Sequence, residues 1–263
     1  MPSEAPDTSP PGFDRPATPE APRIATLGLD GLLVTFGDQL DDLANRAALA
    51  FRGRIDAQDW PGIVETSCSL TSVYVAFDPA QIDHATMRAQ LGALLDDTPT
   101  QDPPLPQGRT LWRIPAFFGG PHQDVLAEAA RLAGLSADDA IAEICAKPLR
   151  ALALGYAPGQ AYLGTLPPNW DISRQKGLTP TVPEGAVVTA VRQVIVFATS
   201  GPTGWRQIGQ TRFRGFRPEN PDAPIALRPG DEVQLYPVDG DTLERLARQD
   251  TSGDAGATRK ALP

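Results

Sequence analysis

The 263-residue sequence is poor in the residues that build metal sites and disulfide frameworks. It has two cysteines, Cys68 and Cys145, without a C-x-x-C spacing, and two histidines, His84 and His122. A structural zinc site needs a spaced set of Cys or His ligands, and a disulfide-stapled fold needs several cysteine pairs. The composition argues against both classes, and we expect no metal site in this chain.

The sequence also lacks the signals of membrane, secreted and nucleic-acid-binding proteins. No apolar run reaches the roughly eighteen residues that a membrane-spanning helix needs. The first residues contain prolines and acids where a signal peptide has a basic and then an apolar stretch. The formal net charge of −9 disfavours nucleic acids and anionic membranes, because both attract a basic surface. We therefore predict a cytoplasmic protein that binds small molecules and other proteins.

Motifs that carry a whole catalytic apparatus within one chain are absent as well. The sequence contains no GxSxG, GxxxxGK[ST], GxGxxG or HExxH motif. These motifs mark a serine nucleophile, a nucleotide phosphate loop, a dinucleotide-binding turn and a zinc peptidase site. Any chemistry must therefore use a less local set of residues or groups from a partner.

What is present predicts an α+β protein with two folded units. Residues 24–98 have the order β-α-β-β-α, with helices over Leu40–Arg54 and Ile82–Leu95 and a strand in which Val73, Val75 and Phe77 share one face. This order is typical of a ferredoxin-like sandwich, completed by a strand from beyond the following linker.

Residues 99–109 are a proline-rich linker, and residues 110–238 begin with the strand LWRIPAFF and a pair of helices. The second helix begins after Ser136, with Asp139 three residues on as in a capping box, and runs through Ala146. Short strands separated by Gly and Pro turns then predict a closed or nearly closed β-barrel. Polar composition predicts a disordered arm at residues 1–23 and a flexible tail at residues 239–263.

The stretch GYAPGQAYLGTLP, Gly155–Pro167, is the first candidate for a functional segment. Its glycines and prolines are unfavourable inside a helix or a central strand, so we predict a shaped loop. Glycines let the backbone approach a ligand, and Tyr156 and Tyr162 can stack or donate hydrogen bonds. The alternative is a rigid barrel corner with both tyrosines in the core.

Two further segments carry charged or titratable side chains. WRQIGQTRFRGFR, Trp205–Arg217, holds four arginines and no acid. If its centre is a strand, Arg212 and Arg214 share a face that suits a carboxylate or phosphate, but a solvated basic face is the favoured interpretation. In FGGPHQD, at the start of a predicted helix, His122 is a candidate base or ligand, and Asp124 is expected to cap the helix.

Together these segments resemble the B-subunit family of bacterial 5-oxoprolinase, also called the allophanate hydrolase subunit 1 family, over about residues 27–238. GYAPGQAYLGTLP resembles the family's G-F-x-P-G-F-x-Y-L-G-x-L-P, and GWRQIGQT resembles its G-W-x-x-I-G-R-T. IPAFFGG, AGLSADDAIA, VPEGAVV and RPGDEVQLYPV match other family segments in the same order. The ordered set is more specific than any one motif.

The resemblance implies a ferredoxin-like domain followed by a cyclophilin-like barrel. It also implies partners, the A and C subunits of 5-oxoprolinase, which together with the B subunit cleave 5-oxoproline to glutamate with ATP, a cofactor that enters through the complex. The catalytic residues stay unassigned. The candidate ligand-binding residues are Tyr156, Pro158, Gly159, Tyr162, Gly164, Arg174, Gln193, Trp205, Arg206, Gly209, Arg212, His122 and Asp124. Of these, Arg174, Gln193, Arg206 and Arg212 are the candidates for holding an anionic substrate.

The sequence departs from the family at three places. Where the family has a loop like A-G-x-Q-T-G-I-Y-P, residues 190–198 contain a β-branched run that favours an extended strand. Arg174 fits the first arginine of the family's P-R-x-x-x-P-R, but Thr179 stands at the second. FGGPHQD lacks the acid and the Gly-Pro that the family has after the paired glycines, and keeps only Asp124. Two other functions therefore stay open: a regulatory protein that binds a histidine kinase, and a carboxyltransferase-like component of a urea carboxylase and allophanate hydrolase system.

Overall fold

The computed structural model describes residues 22–98 and 102–263. Its strands are β1 (Arg23–Thr26), β2 (Gly31–Thr35), β3 (Ile63–Ser69), β4 (Ser72–Phe77), β5 (Thr110–Ala116), β6 (Leu149–Leu154), β7 (Ala161–Gly164), β8 (Thr179–Val182), β9 (Ala186–Ala190), β10 (Gln193–Val196), β11 (Gly201–Thr203), β12 (Arg206–Gln210), β13 (Glu232–Pro237) and β14 (Thr258–Ala261). Its helices are α1 (Asp42–Asp56), α2 (His84–Asp96), α3 (Gln123–Leu132), α4 (Ala137–Ala146) and α5 (Gly240–Gln249), with short 3-10 turns at Gly120–His122 and Pro168–Trp170. The predicted arm lies outside the described residues as far as residue 21, and so do residues 99–101 of the predicted linker.

The first unit is a four-stranded antiparallel sheet in the order β1-β2-β4-β3, covered by α1 and α2. Side chains alternate along β4 as predicted, and Val73, Val75 and Phe77 are buried against the helices. The fourth strand is β1, which precedes β2. The expectation that a strand from beyond the linker completes this sheet was therefore wrong.

The second unit is built on an eight-stranded sheet in the order β12-β9-β10-β7-β6-β13-β5-β14. Helices α3 and α4 share the core on one face, and a smaller apolar cluster with Trp205 and Tyr162 covers part of the other. Phe117, the residue after β5, and Gln210, the last residue of β12, exchange backbone hydrogen bonds of 2.8 and 2.9 Å. Strands β8 and β11 form a separate two-stranded ribbon.

The start of α4 has the capping arrangement that the sequence predicts. The Ser136 hydroxyl accepts a hydrogen bond from the Asp139 backbone N–H at 3.1 Å and donates to the Asp139 carboxylate at 2.7 Å. The helix ends at Ala146, as expected. A short polar side chain at this position satisfies an amide that has no partner within the helix.

Strand β7 corrects the prediction that all of Gly155–Pro167 is a loop. It lies inside the large sheet, paired with β6 on one side and β10 on the other. Hydrogen bonds to two neighbouring strands satisfy the backbone groups of β7, and Tyr162 favours extended backbone. Together these effects outweigh the low strand propensity of the flanking glycines. Only the segments on either side of β7 are loops.

The C-terminal segment corrects a second prediction, because residues 239–263 are not a flexible tail. Asp239 caps α5 by accepting a hydrogen bond from the Thr242 N–H at 2.7 Å, and Leu243 of that helix is buried. Strand β14 then pairs antiparallel with β5. The polar composition of residues 239–263 did not indicate α5 and β14, because a capped helix with one buried leucine and an exposed edge strand need few apolar residues.

The segment that departs from the family motif forms a tight hairpin. Strand β10 occupies its β-branched run, as predicted, and Val191 and Arg192 form the two-residue turn that joins β9 to β10. Both turn residues have positive φ, 44° and 63°. Their backbone N–H groups donate to Ile172 and Trp170 at 2.8 and 2.9 Å, which holds the turn in place.

The two units are joined at α1 through polar contacts. The buried side-chain amide of Asn45 donates to the carbonyls of Leu70 in the first unit, at 2.6 Å, and Leu152 in the second, at 3.1 Å. Nearby, Arg150 donates to Asp42 at 2.7 Å. The Asn45 side chain therefore links the two units by hydrogen bonds.

Replacing Val191 with Asn should raise the free energy of unfolding by about 1 kcal/mol, because a β-branched residue is strained at positive φ and Asn is not. Chemical denaturation of the wild type and V191N measures this difference. The control is Val64→Asn at an exposed position of β3, where the same exchange should not raise the free energy of unfolding. Equal or lower stability of V191N would contradict the assigned turn geometry.

Replacing Gly159 with Ala should lower the free energy of unfolding by at least about 2 kcal/mol. Gly159 has φ of 74°, and a Cβ there would lie 2.5 Å from the Gly215 carbonyl oxygen. Gly155 in the same connection is the matched control, because no heavy atom of the described residues lies within 4 Å of a Cβ built there. G155A should change stability by less than about 0.5 kcal/mol. Similar denaturation midpoints for the two variants would show that the close approach is absent.

Candidate functional site

A cleft of about 330 Å³ opens on the face of the large sheet that carries the smaller apolar cluster. It brings together four of the predicted ligand-binding residues: Tyr156, Tyr162, Arg174 and Trp205. They come from the β6–β7 connection, β7, the segment before β8 and the turn between β11 and β12. Ile195 and Phe197, from β10 and the residues after it, form part of the apolar wall.

Trp205 is the centre of the aromatic part of this cleft. Its ring meets Tyr162 edge to face, with ring centroids 6.1 Å apart, and the Arg174 guanidinium carbon lies 5.6 Å from its centroid. Within residues 22–98 and 102–263, the Arg174 side chain has no ion pair or hydrogen bond. The cleft therefore holds an exposed cation against a π face, and its charge is available to an anion.

Tyr162 provides a hydrogen-bond donor at neutral pH. Burial raises the pKa of its phenol above the ordinary value, while the charge of Arg174 and a hydrogen bond with Gln160 lower the pKa in part. The phenol therefore stays protonated at neutral pH.

Gln160 is a site residue that the predicted set did not include. Its side chain is 2% exposed and lines the cleft, and its Oε1 atom has no hydrogen-bond partner among the described residues. Buried side-chain oxygens normally have a partner, so an orphaned one at a cleft is suited to a ligand N–H. The only sequence signal was its place between Gly159 and Tyr162 in the glycine-rich stretch.

The arginines of Trp205–Arg217 lie outside the cleft and are paired with acids. Arg206 donates to Glu128 of α3 at 3.0 Å and to the Ser173 carbonyl at 2.6 Å. The other pairs are Arg212 with Glu244, Arg214 with Glu184 and Glu219, and Arg217 with Asp254. Because β12 ends at Gln210, the predicted strand that would place Arg212 and Arg214 on one face is absent from the described structure.

The remaining candidates, which are glycines, a glutamine and a proline, lie in strands and turns of the second unit. Gln193 is 4% exposed, its Nε2 atom has no partner in the described part of the chain, and it pairs with Gly164 across β10 and β7, outside the cleft lining. Gly209 allows β12 to approach the Phe117 carbonyl, which a Cβ would meet at 2.8 Å. Pro158 is exposed in the turn before Gly159. None of Gln193, Gly209 and Pro158 lines the cleft.

His122 and Asp124 lie at the start of α3 and do not line the cleft. Burial lowers the pKa of His122, and its Nε2 atom lies 3.4 Å from the Gln207 amide nitrogen. The expected cap by Asp124 was wrong, because His122 is the N-cap residue and has no side-chain cap hydrogen bond. Asp124 lies in the first turn instead, where its charge interacts favourably with the helix dipole.

Neither a metal centre nor a membrane span is found in residues 22–98 and 102–263. No group of three or more His, Cys, Asp or Glu side chains in these ranges could hold a metal ion. In the same ranges, no helix combines the length and the apolar composition needed to cross a bilayer.

The chain matches the family described as carboxyltransferase domain, subdomain C and D, over residues 22–227. It is 28% identical to the B subunit of 5-oxoprolinase from Bacillus subtilis (strain 168) over 231 residues, which are 82% of this chain and 92% of that protein. It is 35% identical to the B subunit of 5-oxoprolinase from Escherichia coli O157:H7 over 132 residues, which are 50% of this chain and 60% of that protein.

A solved structure extends the likeness at the level of the fold. The crystal structure of Kluyveromyces lactis urea carboxylase is similar with a TM-score of 0.73 and 16% identity, over 96% of this chain and 26% of that chain. Such low identity supports a shared fold alone. The family match covers the first unit and every cleft residue named above, and it confirms the resemblance found in the motifs. This chain therefore belongs to the carboxyltransferase subdomain C and D family, together with the 5-oxoprolinase B subunits.

Proposed function

We propose that this chain is the B subunit of a heteromeric, ATP-dependent 5-oxoprolinase that acts with A and C subunits in the cytoplasm. The observation that carries the proposal is the combination of Arg174 with the orphaned Gln160 oxygen in one aromatic cleft. 5-Oxoproline presents a carboxylate and a lactam N–H on one small ring. The cleft offers a cation and a hydrogen-bond acceptor for these two groups.

In this proposal each polar group of the substrate has a partner. The carboxylate pairs with the Arg174 guanidinium, the lactam N–H donates to Gln160 Oε1, and the Tyr162 hydroxyl donates to the lactam carbonyl. Trp205 and Phe197 cover the apolar carbons of the ring. The cleft volume of about 330 Å³ is in the range of small-ligand sites.

Hydrolysis itself needs groups that we assign to the partners. The sequence has no phosphate-loop motif, so ATP enters through the complex. The role of this chain is then to bind and orient the lactam while the partners supply ATP and complete the site. A half-buried phenol and an unpaired guanidinium can also stabilise negative charge on a carbonyl oxygen as it develops.

We also propose that the two units are a ferredoxin-like domain and a cyclophilin-like barrel. The strand order β1-β2-β4-β3 with two helices on one face supports the first, with β1 in the place of the usual last strand. The exchange of hydrogen bonds between Phe117 and Gln210 supports the second, because it links the edge strand β12 to the residue after β5 and so closes the strands from β12 to β5 into a ring.

A carboxyltransferase-like component of a urea carboxylase system is the second candidate function. The fold similarity to Kluyveromyces lactis urea carboxylase and the carboxyltransferase name of the family favour it. The two functions differ in their requirement for biotin. Biotin-dependent carboxyl transfer to urea by the assembled complex would favour the second function over the first.

The direct test combines this chain with candidate A and C subunits and measures glutamate release from 5-oxoproline and ATP. We expect glutamate only when all three proteins are present. A stable complex that releases no glutamate would overturn the proposal and point to the regulatory alternative, in which the chain binds a protein such as a histidine kinase without turnover.

Replacing Arg174 with Ala should raise KM for 5-oxoproline about tenfold or more, because a charge-assisted hydrogen bond to the carboxylate is lost. Steady-state kinetics of the three-protein complex measure this effect. Arg113 is the matched control, since its guanidinium carbon lies 5.6 Å from the Tyr236 ring centroid outside the cleft. R113A should keep the wild-type KM, and an equal effect of both variants would remove Arg174 from the substrate site.

A further inference from the structure

A second, more polar cavity lies at the β5 and β14 edge of the large sheet and has no role in the proposed function. Its volume is about 620 Å³. Its walls come from the start of β5, the loop that follows β12, the segment after α5, and β14. The C-terminal segment thus completes a cavity that the sheet alone would leave open.

The acidic side chains around this cavity are already engaged. Asp254 accepts from Arg217 at 2.7 Å, and Glu219 pairs with Arg214. Asp231 is 4% exposed, and its two carboxylate oxygens accept the backbone N–H groups of Thr110 at 2.7 Å and Arg228 at 2.8 Å. These acids have bonded partners that reduce their repulsion of a bound anion.

Two arginines of the lining, Arg228 and Arg259, have free guanidinium groups within residues 22–98 and 102–263. Neither has an ion pair or a side-chain hydrogen bond in those ranges. The Arg259 guanidinium carbon lies 5.7 Å from the ring centroid of Trp112, a contact that positions the group beside the cavity. The indole N–H of Trp112, itself 3% exposed, has no acceptor among the described residues.

Part of the cavity wall lies beyond the segments that resemble the family. The family match ends at residue 227, and Arg228 and Asp231 belong to RPGDEVQLYPV, which still resembles a family segment, whereas Asp254 and Arg259 lie beyond both. The net charge of the chain is −9, so two unpaired arginines around one cavity are not explained by an excess of basic residues. The cavity therefore depends on residues that lie beyond the matched part of the chain.

We propose that this cavity binds a small molecule that carries a phosphate group. The two guanidinium groups come from different walls and can each donate two hydrogen bonds, which suits a tetrahedral oxyanion approached from more than one side. Thr251 and Asn220 add a hydroxyl and an amide to the same lining. The volume exceeds the space that one phosphate group needs, so the remainder accommodates the organic part of the ligand. The site is independent of the lactam cleft.

Isothermal titration of the purified full chain with inorganic phosphate, at constant ionic strength, tests the site. We expect saturable binding to the wild type and a loss of affinity of about tenfold or more for each arginine removed in R228A and R259A. Titration with succinate distinguishes phosphate from carboxylate ligands, and succinate should bind more weakly than phosphate.

The matched control is the double variant R245A/R248A, which removes the same charge from α5 outside the cavity lining. It should bind phosphate as the wild type does, whereas R228A/R259A should not. Both double variants change exposed side chains, and their thermal unfolding curves show whether they fold. Absence of saturable binding to the wild type, equal loss in the two double variants, or succinate binding as tight as phosphate binding would each overturn the proposal.

Discussion

The pairing register of β7 with β10 is the constraint on which the candidate site depends. Tyr162 lies opposite Ile195 in this register, and Leu163 lies opposite Val194. Side chains alternate across a sheet, so Tyr162 and Ile195 face the cleft while Leu163 and Val194 enter the main core. A slip of one residue would exchange the two sets and bury the tyrosine in the core. The apolar packing of Leu163 and Val194 on the opposite face therefore determines which side chains of β7 and β10 face the cleft.

The hairpin turn at Val191 and Arg192 holds that register from one end. Its backbone N–H groups donate to the segment that contains Trp170, and Trp170 is fully buried with its indole N–H donating to Glu143 of α4 at 3.1 Å. The turn, the main core and α4 are thus linked through Trp170. Positive φ at a β-branched valine is tolerated here because the surrounding hydrogen bonds determine the turn geometry.

Local signals predicted much of the fold from the sequence. The alternation in β4 and the Ser136 cap were correct because each depends on residues close in the chain. The central position of β7 in the sheet and the regular structure of the C-terminal segment were not predicted. Both depend on pairing between distant parts of the chain, β7 with β10 and β14 with β5. In the cleft, residue type pointed to Tyr162, whereas Arg174 and Trp205 were found through the motifs that resemble the family. The sequence could not reveal that Glu128 neutralises Arg206, since the two residues meet only when α3 packs on β12.

The proposed function depends on recognition, by the cleft, of a lactam that carries a carboxylate. The most direct measurement is the experimental structure of the assembled three-protein complex with 5-oxoproline bound. We expect the ligand carboxylate within hydrogen-bond distance of the Arg174 guanidinium and the lactam N–H directed at Gln160 Oε1. A ligand bound away from these two side chains, with the cleft closed or filled by a partner, would show that the cleft is not the lactam site.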